Sequence, residues 1–259
     1  MITINLQGRF GNQLYQYATC RSIAEKLGYN FYINSFENSL IENYFKVEQG
    51  IVDGHRSGGQ LNDETFNFII KDKLEYDKFV TNKIDNIKDG CKLIGYYQKV
   101  IFFDYNIENI IKWFQPKYSN AILNEILDKY DIDKHYFVHF RGTDYKAWKG
   151  AFLDEEYYND VRNYFDGLKM VVVTDDIPLA KIILSNFDCD IISNNIMSDF
   201  ELLRRVKYLG ISFSTFSLWS AYLNMNYEEI VAPYGMFVGY GLESPYFYPV
   251  DKFKYLGKK

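Results

Sequence analysis

Three segments in the second half of the chain combine charged and hydroxyl side chains in patterns that could bind a phosphate group. In the first, VHFRGTDYKAW at residues 138–148, His139, Arg141 and Asp144 lie at the end of an apolar stretch. An arginine fork beside an imidazole can hold a phosphate through paired hydrogen bonds. The same spacing allows an Arg141–Asp144 ion pair that only closes the loop, and this segment alone supports both interpretations.

The second segment, VVVTDD at residues 171–176, ends an apolar run with Thr174, Asp175 and Asp176. Adjacent carboxylates after a buried strand suit recognition of sugar hydroxyl groups or coordination of a divalent metal ion. Either carboxylate could instead cap the helix whose first turn contains Pro178. We expect capping to account for one of the two aspartates and not for both.

The third segment, SFSTFSLW at residues 212–219, places the hydroxyl groups of Ser214, Thr215 and Ser217 around the predicted start of a helix. Backbone N–H groups in the first turn of a helix, joined by such hydroxyls, can bind an anion. An ordinary serine or threonine N-cap produces the same pattern. This segment therefore supports an anion-binding site only in combination with the other segments.

A fourth segment lies near the amino terminus, where glycines bracket an arginine and a phenylalanine ahead of an Asn-Gln pair: Gly8, Arg9, Gly11, Asn12 and Gln13. Such a turn between a strand and a helix could close its backbone around an anion. It also fits a plain strand-to-helix turn, which is the simpler interpretation of this stretch alone.

All four segments follow short apolar runs that alternate with helical patterns. We predict strands at residues 2–6, 31–34, 91–98, 135–141, 168–174, 190–193, 209–213 and 230–232. We predict helices at residues 12–27, 155–165, 178–187, 199–209 and 214–224, with Asp154 and Ser198 as two of the N-caps. The glycine-rich piece at residues 54–60 reads as an exposed loop.

This alternation predicts an α/β fold with parallel sheets flanked by helices. The polar stretch between residues 36 and 88 and the break at Pro116 predict two units, residues 1–116 and 117–259. Parallel sheets bind ligands at the carboxyl ends of their strands, which is where each polar segment falls.

Composition narrows the class of protein. The 259 residues carry a net charge of −5, and no stretch of Lys and Arg forms a basic stripe, so we expect no nucleic-acid partner. Three scattered cysteines indicate reduced thiols rather than a disulfide framework. Neither a membrane-spanning apolar run nor a signal-peptide core is present, so the expected location is the cytoplasm.

Several common chemistries lack their motifs. The three histidines have no zinc spacing with the cysteines. There is no G-x-x-x-x-G-K-[ST] loop, no G-x-G-x-x-G after a strand and no G-x-S-x-G turn. These absences disfavour a P-loop kinase, a dinucleotide-binding protein and a serine hydrolase.

Taken in order, the four segments resemble the motifs of the α-1,2-fucosyltransferases of glycosyltransferase family 11. GRFGNQLYQYA is similar to the family pattern G-G-L-G-N-Q-M-F-Q-Y-A, and VHFRGTDY is similar to H-x-R-R-G-D-Y. VVVTDD resembles an S-D-D stretch, and SFSTFSLWSAYLN resembles S-N-S-T-F-S-W-W-A-A-Y-L. Four motifs in the family's order, over residues 8–224, make the resemblance specific.

The resemblance implies a GT-B-like fold of two Rossmann-like lobes with parallel sheets and a donor cleft between them. Residues 1–116 would form the acceptor side and residues 117–259 the nucleotide-sugar-binding lobe. The implied reaction moves L-fucose from GDP-fucose to a glycan hydroxyl, galactose O2 in an α-1,2 linkage, with inversion. No metal and no other cofactor is implied.

Residue roles follow from the same resemblance. Arg141 would grip the diphosphate, flanked by His139 and Asp144, and the block from Ser214 to Ser217 would lie near the β-phosphate. Asn12 would face the donor. The catalytic set is therefore Arg141, Asp144 and Asn12; the donor-binding set is Gly8, Arg9, Gly11, Gln13, His139, Thr174, Asp175, Asp176, Ser214, Thr215, Phe216 and Ser217. Inversion also requires a base, for which Asp144 is the first candidate, ahead of Glu155 and Glu156.

The chain departs from the family pattern in the second motif, where Gly142 and Thr143 replace an arginine and a glycine. Arg9 could supply the missing positive charge. Two other functions stay open: a metal-dependent transferase of another nucleotide sugar that uses Asp175 and Asp176 as ligands, and a carbohydrate-binding protein without turnover.

Overall fold

The computed structural model describes residues 1–52, 57–67, 72–119, 121–147, 151–234 and 250–257. The chain divides into two compact units, Met1–Ser119 and Asn120–Lys259, whereas the sequence prediction placed the division after residue 116. Each unit contains one sheet whose strands are all parallel. The predicted α/β class, with two Rossmann-like units built on parallel sheets, is confirmed.

The first unit has a four-stranded sheet in the order β2-β1-β4-β3. Its strands are β1 (Ile2–Asn5), β2 (Phe31–Asn34), β3 (Gln60–Asn62) and β4 (Lys92–Ile94). Its α-helices are α1 (Phe10–Leu27), α2 (Leu40–Tyr44), α3 (Lys73–Asp85) and α4 (Ile107–Trp113). Short 3-10 helices cover Asp63–Phe66, Val100–Phe102 and Asp104–Asn106.

The second unit has a six-stranded sheet in the order β10-β9-β8-β5-β6-β7. Its strands are β5 (His135–Phe140), β6 (Lys169–Thr174), β7 (Cys189–Ile192), β8 (Tyr208–Gly210), β9 (Glu229–Pro233) and β10 (Lys254–Leu256). Its α-helices are α5 (Ala121–Lys129), α6 (Glu155–Tyr164), α7 (Ile177–Ile183), α8 (Ile196–Leu203) and α9 (Thr215–Tyr222). A 3-10 helix at Thr143–Ala147 follows β5.

The two central strands of the second sheet are almost continuously apolar because both of their faces are covered. Tyr136 to Phe140 in β5 and Met170 to Thr174 in β6 are all buried. Strands buried on both faces lack the in-and-out alternation of a half-exposed strand. Apolar runs of this kind let the sequence predict both strands to within one residue at each end.

Helix ends follow local side-chain chemistry. Asp154 caps α6 as predicted, since its carboxylate accepts the backbone N–H of Glu156. The prediction that Ser198 caps α8 is wrong: α8 begins one turn earlier, and the Asn195 side chain accepts the N–H of Ser198 at 2.9 Å. Asparagine serves as an N-cap as well as serine does.

The remaining differences concern boundaries and edges. The predicted strand at residues 91–98 ends at Ile94, because Gly95 turns the chain with a φ of +115°. The edge strands β3 and β10 were not predicted. The loop predicted at residues 54–60 lies partly outside the described residues, and its last residue, Gln60, begins β3. Within the described part of the chain, no helix is long and apolar enough to cross a bilayer.

Candidate functional site

Three of the four polar segments meet at one edge of the second sheet. They follow β8, β5 and β6, which are neighbours in that sheet and run parallel. Parallel neighbours bring their carboxyl ends to the same edge, the usual ligand-binding edge of such sheets. The segments are therefore adjacent in space although they are far apart in sequence: His139 and Ser212, whose side chains are in contact, are 73 residues apart.

Arg141 joins the loops after β5 and β6 through two ion pairs. Its Nη2 lies 2.7 Å from Asp144 Oδ1, and its Nη1 pairs with Asp175 Oδ2. The side chain is 15% exposed, and the Tyr145 ring centroid lies 5.3 Å from its Cζ. The ion pair that would close the loop is thus present, and a second carboxylate from another strand extends it.

The two adjacent aspartates after β6 have different roles. Asp175 accepts hydrogen bonds from the Gly142 N–H at 2.9 Å and from the Thr143 hydroxyl at 2.8 Å, in addition to Arg141. Asp176 caps α7 by accepting the N–H of Leu179 at 3.1 Å. As predicted, capping accounts for one aspartate and not for both.

Gly142 permits this close approach of the two loops. A β-carbon at residue 142 would overlap the side chain of Asp176. Thr174, the last residue of β6, accepts the N–H of Asp176 on its Oγ1 at 2.9 Å and is buried. The loop after β6 is therefore held at both of its ends before any ligand is considered.

His139 is buried and contacts the loop after β8 rather than the loop after β6. Its Nδ1 lies 2.7 Å from Ser212 Oγ, and its ring centroid lies 5.5 Å from that of Phe216. The predicted strand at residues 135–141 ends at Phe140, so Arg141 is the first residue of the loop that follows β5.

Burial also sets the charge of His139. It lowers the pKa of the imidazole to about 3; nearby Asp175 opposes this shift and Arg141 adds to it. The ring is consequently neutral at physiological pH. One of its nitrogens can then donate a hydrogen bond while the other accepts one.

The hydroxyl-rich turn after β8 is held by hydrogen bonds from side chains to the backbone. The Ser214 side chain caps α9 by accepting the N–H of Phe216 at 3.3 Å, and Ser217 Oγ donates to the Ser214 carbonyl at 3.2 Å. The Tyr145 hydroxyl donates to the Phe213 carbonyl at 2.9 Å and so ties this turn to the loop after β5. The first turn of α9, with the partly exposed Thr215, lies at the same sheet edge.

The fourth segment belongs to the first unit, where it forms the turn from β1 into α1. Gly8 has a φ of +76°, and a β-carbon there would meet Asn12 Nδ2 at 2.7 Å. Gln13 bridges two elements: its Nε2 donates to the Gly8 carbonyl at 3.2 Å, and its Oε1 accepts the N–H of Leu40 at 2.9 Å. Arg9 is exposed and Gly11 is buried.

Some residues at these edges were not selected from the sequence. Ser212, Thr143 and Tyr145 complete the bonding in the second unit, and Gln98 donates to Asn12 Oδ1 at 2.8 Å in the first. Ser212 stands inside the hydroxyl-rich segment, so its type was a usable signal. No local pattern predicts the long-range bonds of the other three, which join Thr143 to Asp175, Tyr145 to Phe213 and Gln98 to Asn12. Trp148, the last residue of the first segment, lies outside the described residues.

The fold and the polar strand ends define a class, a GT-B-like α/β glycosyltransferase fold. NodZ, a fucosyltransferase from Bradyrhizobium, matches the structure with a TM-score of 0.54 at 13% identity, covering 88% of this chain and 94% of that chain. Another NodZ crystal, soaked with GDP-fucose, matches with a TM-score of 0.52 at 14% identity, covering 86% and 92%. Arabidopsis thaliana FUT1, as a mutant in complex with GDP, gives 0.53 at 9% identity, covering 90% and 70%.

The sequence identifies the family. Residues 1–237 match Glycosyl transferase family 11, so the chain belongs to this family and the resemblance of the four motifs is confirmed. The Galactoside 2-alpha-L-fucosyltransferase SEC1 of Bos taurus is 22% identical over 245 residues, which are 86% of this chain and 64% of the relative. This chain therefore spans slightly less than two thirds of that curated relative.

The buried His139 predicts a specific pH dependence of stability. Between about pH 6.5 and pH 3 the unfolded chain binds a proton at this residue and the folded chain does not, so its contribution to stability falls as the pH falls. The difference in unfolding free energy between the wild type and His139→Gln should shrink by up to about 1.36 kcal/mol per pH unit below pH 6.5. Urea denaturation of both proteins from pH 7.5 to pH 5 measures it. A difference that stays constant with pH would show that His139 titrates normally in the folded state.

Proposed function

We propose that this protein transfers L-fucose from GDP-fucose to the O2 hydroxyl of a galactoside, with inversion and without a metal ion. Membership of family 11 and the names of the relatives support the donor, the linkage and the acceptor class. The observation that carries the proposal is the guanidinium group of Arg141, fixed by two ion pairs at the carboxyl edge of the second sheet, the edge at which α9 also begins.

Departure of GDP from the sugar builds negative charge on the β-phosphate, so donors fixed in advance lower the barrier. A guanidinium group has five N–H donors, and the two ion pairs of Arg141 use one on each terminal nitrogen. Among the described residues no other acceptor bonds the remaining donors, and we assign them to the diphosphate. The carboxylates of Asp144 and Asp175 hold the fork in place, which reduces the entropy lost when it binds.

The start of α9 supplies a second source of positive potential. The amides of a helix's first turn and the helix dipole favour a phosphate group at this end. We assign the β-phosphate to the first turn, at Thr215, Phe216 and Ser217, next to the neutral ring of His139. Ser214 acts by capping this turn and fixing its geometry.

Metal independence is part of the proposal because the two candidate ligands have other partners. Asp175 accepts three hydrogen bonds from the loop after β5, and Asp176 caps α7. In this proposal the hydrogen-bond donors of Arg141 and of the start of α9 stabilise the leaving diphosphate in place of a cation. The identity of the base stays a prediction: Asp144 is the first candidate, and Glu155 and Glu156 lie in the first turn of α6.

The direct test is incubation of the purified full chain with GDP-fucose and lactose in the presence of EDTA. The expected product carries fucose α-1,2-linked to galactose, identified by its anomeric NMR signals, in the same yield with and without EDTA. Loss of transfer in EDTA that is restored by Mn²⁺ would establish the metal-dependent alternative. Transfer only from a UDP-sugar, or lactose binding without any turnover, would contradict the proposed donor or the proposed catalysis.

Replacing Arg141 tests its role in binding the diphosphate. A hydrogen bond to a charged group contributes roughly 1.5–3 kcal/mol, so Arg141→Ala should lower kcat/KM for GDP-fucose by at least ~10²-fold. Arg141→Lys should recover little, since a point charge does not reproduce the planar fork. Steady-state kinetics and calorimetric titration with GDP measure both effects.

Arg204→Ala is the matched control. Arg204, the C-cap residue of α8, is also largely buried, and it forms an ion pair at 3.1 Å with Glu201 in the same helix. It should lower thermal stability and leave GDP affinity unchanged. If Arg141 only clamps its loop, Arg141→Ala and Asp144→Ala will lose similar stability and keep wild-type GDP affinity, which would defeat the assignment.

A further inference from the structure

The carboxyl edge of the first sheet contains a second group of polar and aromatic side chains. β1, β4 and β3 are neighbours and parallel, so the residues that follow them share one edge. Asp63 comes directly after β3, Tyr96 and Gln98 come after β4, and Asn12 lies in the first turn of α1, the helix that follows β1. Of these, only Asn12 entered the site predicted from the sequence.

The backbone fixes the carboxylate of Asp63 in one orientation. Its Oδ2 accepts two consecutive N–H groups, those of Tyr96 at 2.6 Å and Tyr97 at 3.0 Å. Consecutive amides that converge in this way form an anion-binding nest. A β-carbon at residue 95 would overlap the Asp63 carboxylate, so only glycine there allows the approach.

Tyr97 adopts an unusual conformation to build this nest. Its φ is +52°, a region that aromatic residues rarely occupy. The side chain is fully buried, and its hydroxyl donates to the Leu61 carbonyl at 2.5 Å. Residues held in such conformations cluster at functional sites, and this one serves to present Asp63.

The other carboxylate oxygen of Asp63 is available. Among the described residues no donor bonds Asp63 Oδ1, and the side chain is partly exposed. The nearby ammonium group of Lys99 is buried and bonds the Phe66 carbonyl at 2.9 Å and the Tyr76 hydroxyl at 2.8 Å. Asp63 thus offers one fixed, negatively charged acceptor to a ligand that donates hydrogen bonds.

Tyr96, whose backbone N–H bonds Asp63, also carries an exposed aromatic ring. The Tyr96 side chain is 37% exposed, and its ring packs close enough to Gly8 that a β-carbon there would lie 3.1 Å from it. Gln98 donates to Asn12 Oδ1 at 2.8 Å on the same edge. An exposed ring, a fixed carboxylate and side-chain amides match a neutral sugar, which has an apolar face and hydroxyl donors.

We propose that Asp63 and Tyr96 bind the acceptor sugar: Asp63 Oδ1 accepts a hydrogen bond from a hydroxyl of a neutral galactoside, and the Tyr96 ring stacks on the sugar face. This assignment rests on the proposed function for the identity of the sugar. The acceptor sugar would then bind to the first unit, and Asp63 and Tyr96 would determine its affinity.

The experiment compares four variants of the full chain with lactose as the probe. Asp63→Asn keeps one carbonyl oxygen for the nest and loses the charged acceptor. Tyr96→Ala removes the ring but keeps the backbone amide, and Tyr96→Phe keeps the ring. Glu64→Gln is the matched control, a neighbouring exposed carboxylate in the same 3-10 turn.

Two readouts separate this proposal from the proposed function. Lactose affinity is measured without donor by saturation-transfer NMR, and transfer kinetics give the KM for lactose together with kcat and the KM for GDP-fucose. Asp63→Asn and Tyr96→Ala should each weaken lactose binding and raise its KM about tenfold or more. Tyr96→Phe should recover most of the lactose affinity that Tyr96→Ala loses. Glu64→Gln should stay within about twofold of wild type, and the KM for GDP-fucose should not change in any of the four variants.

The proposal would be overturned if Asp63→Asn and Tyr96→Ala both kept the wild-type affinity for lactose and the wild-type KM for lactose in the transfer reaction. If Asp63 only shapes the turn, Asp63→Asn will behave as wild type in both readouts. If the wild type binds lactose at this edge but transfers no fucose, the proposed function fails while this site stands. Absence of any lactose binding by the wild type would refute the site itself.

Discussion

The edge of the second sheet depends on one guanidinium group placed between two carboxylates. Arg141 pairs with Asp144 in its own loop and with Asp175 in the next, and the Thr143 hydroxyl bonds both carboxylates. Without the guanidinium the two like charges would repel each other at close range and the loops would separate. With the guanidinium in place, the one positive and two negative charges sum to −1. An anion that binds at this edge therefore also needs the hydrogen-bond donors at the start of α9 and a His139 ring that is neutral.

Both units position their strand-end loops by the same means, a polar side chain that bonds the backbone of a neighbouring loop. In the second unit Asp175 accepts the Gly142 amide, and Tyr145 donates to the Phe213 carbonyl. In the first, the buried Gln16 accepts the Gln7 amide at 3.0 Å and donates to the Gly95 carbonyl at 3.0 Å. Such bonds satisfy backbone groups that the sheet leaves unpaired, and they fix the loops without a ligand.

The features that could be predicted from the sequence are those determined by residues close together in the chain, namely buried strands and helix caps. Apolar runs located β5 and β6, and capping logic assigned Asp154 and one of the two aspartates after β6. The edge strands β3 and β10 were missed, since strands this short, and mostly polar in β3, produce no periodic pattern. Two features could not be predicted: the pairing of Arg141 with Asp175, 34 residues further along the chain, and the nest around Asp63. Both depend on the order of the strands in the sheets, and no single segment of the sequence determines that order.

The most direct measurement of the central claim, that a GDP-sugar occupies the carboxyl edge of the second sheet, is hydrogen exchange of the backbone amides with and without GDP. We expect slower exchange in peptides that cover residues 139–145 and 212–218, where the loops after β5 and β8 lie. UDP at the same concentration should cause a much smaller change. Unaltered exchange in both segments at saturating GDP, or protection confined to the first unit, would contradict the claim.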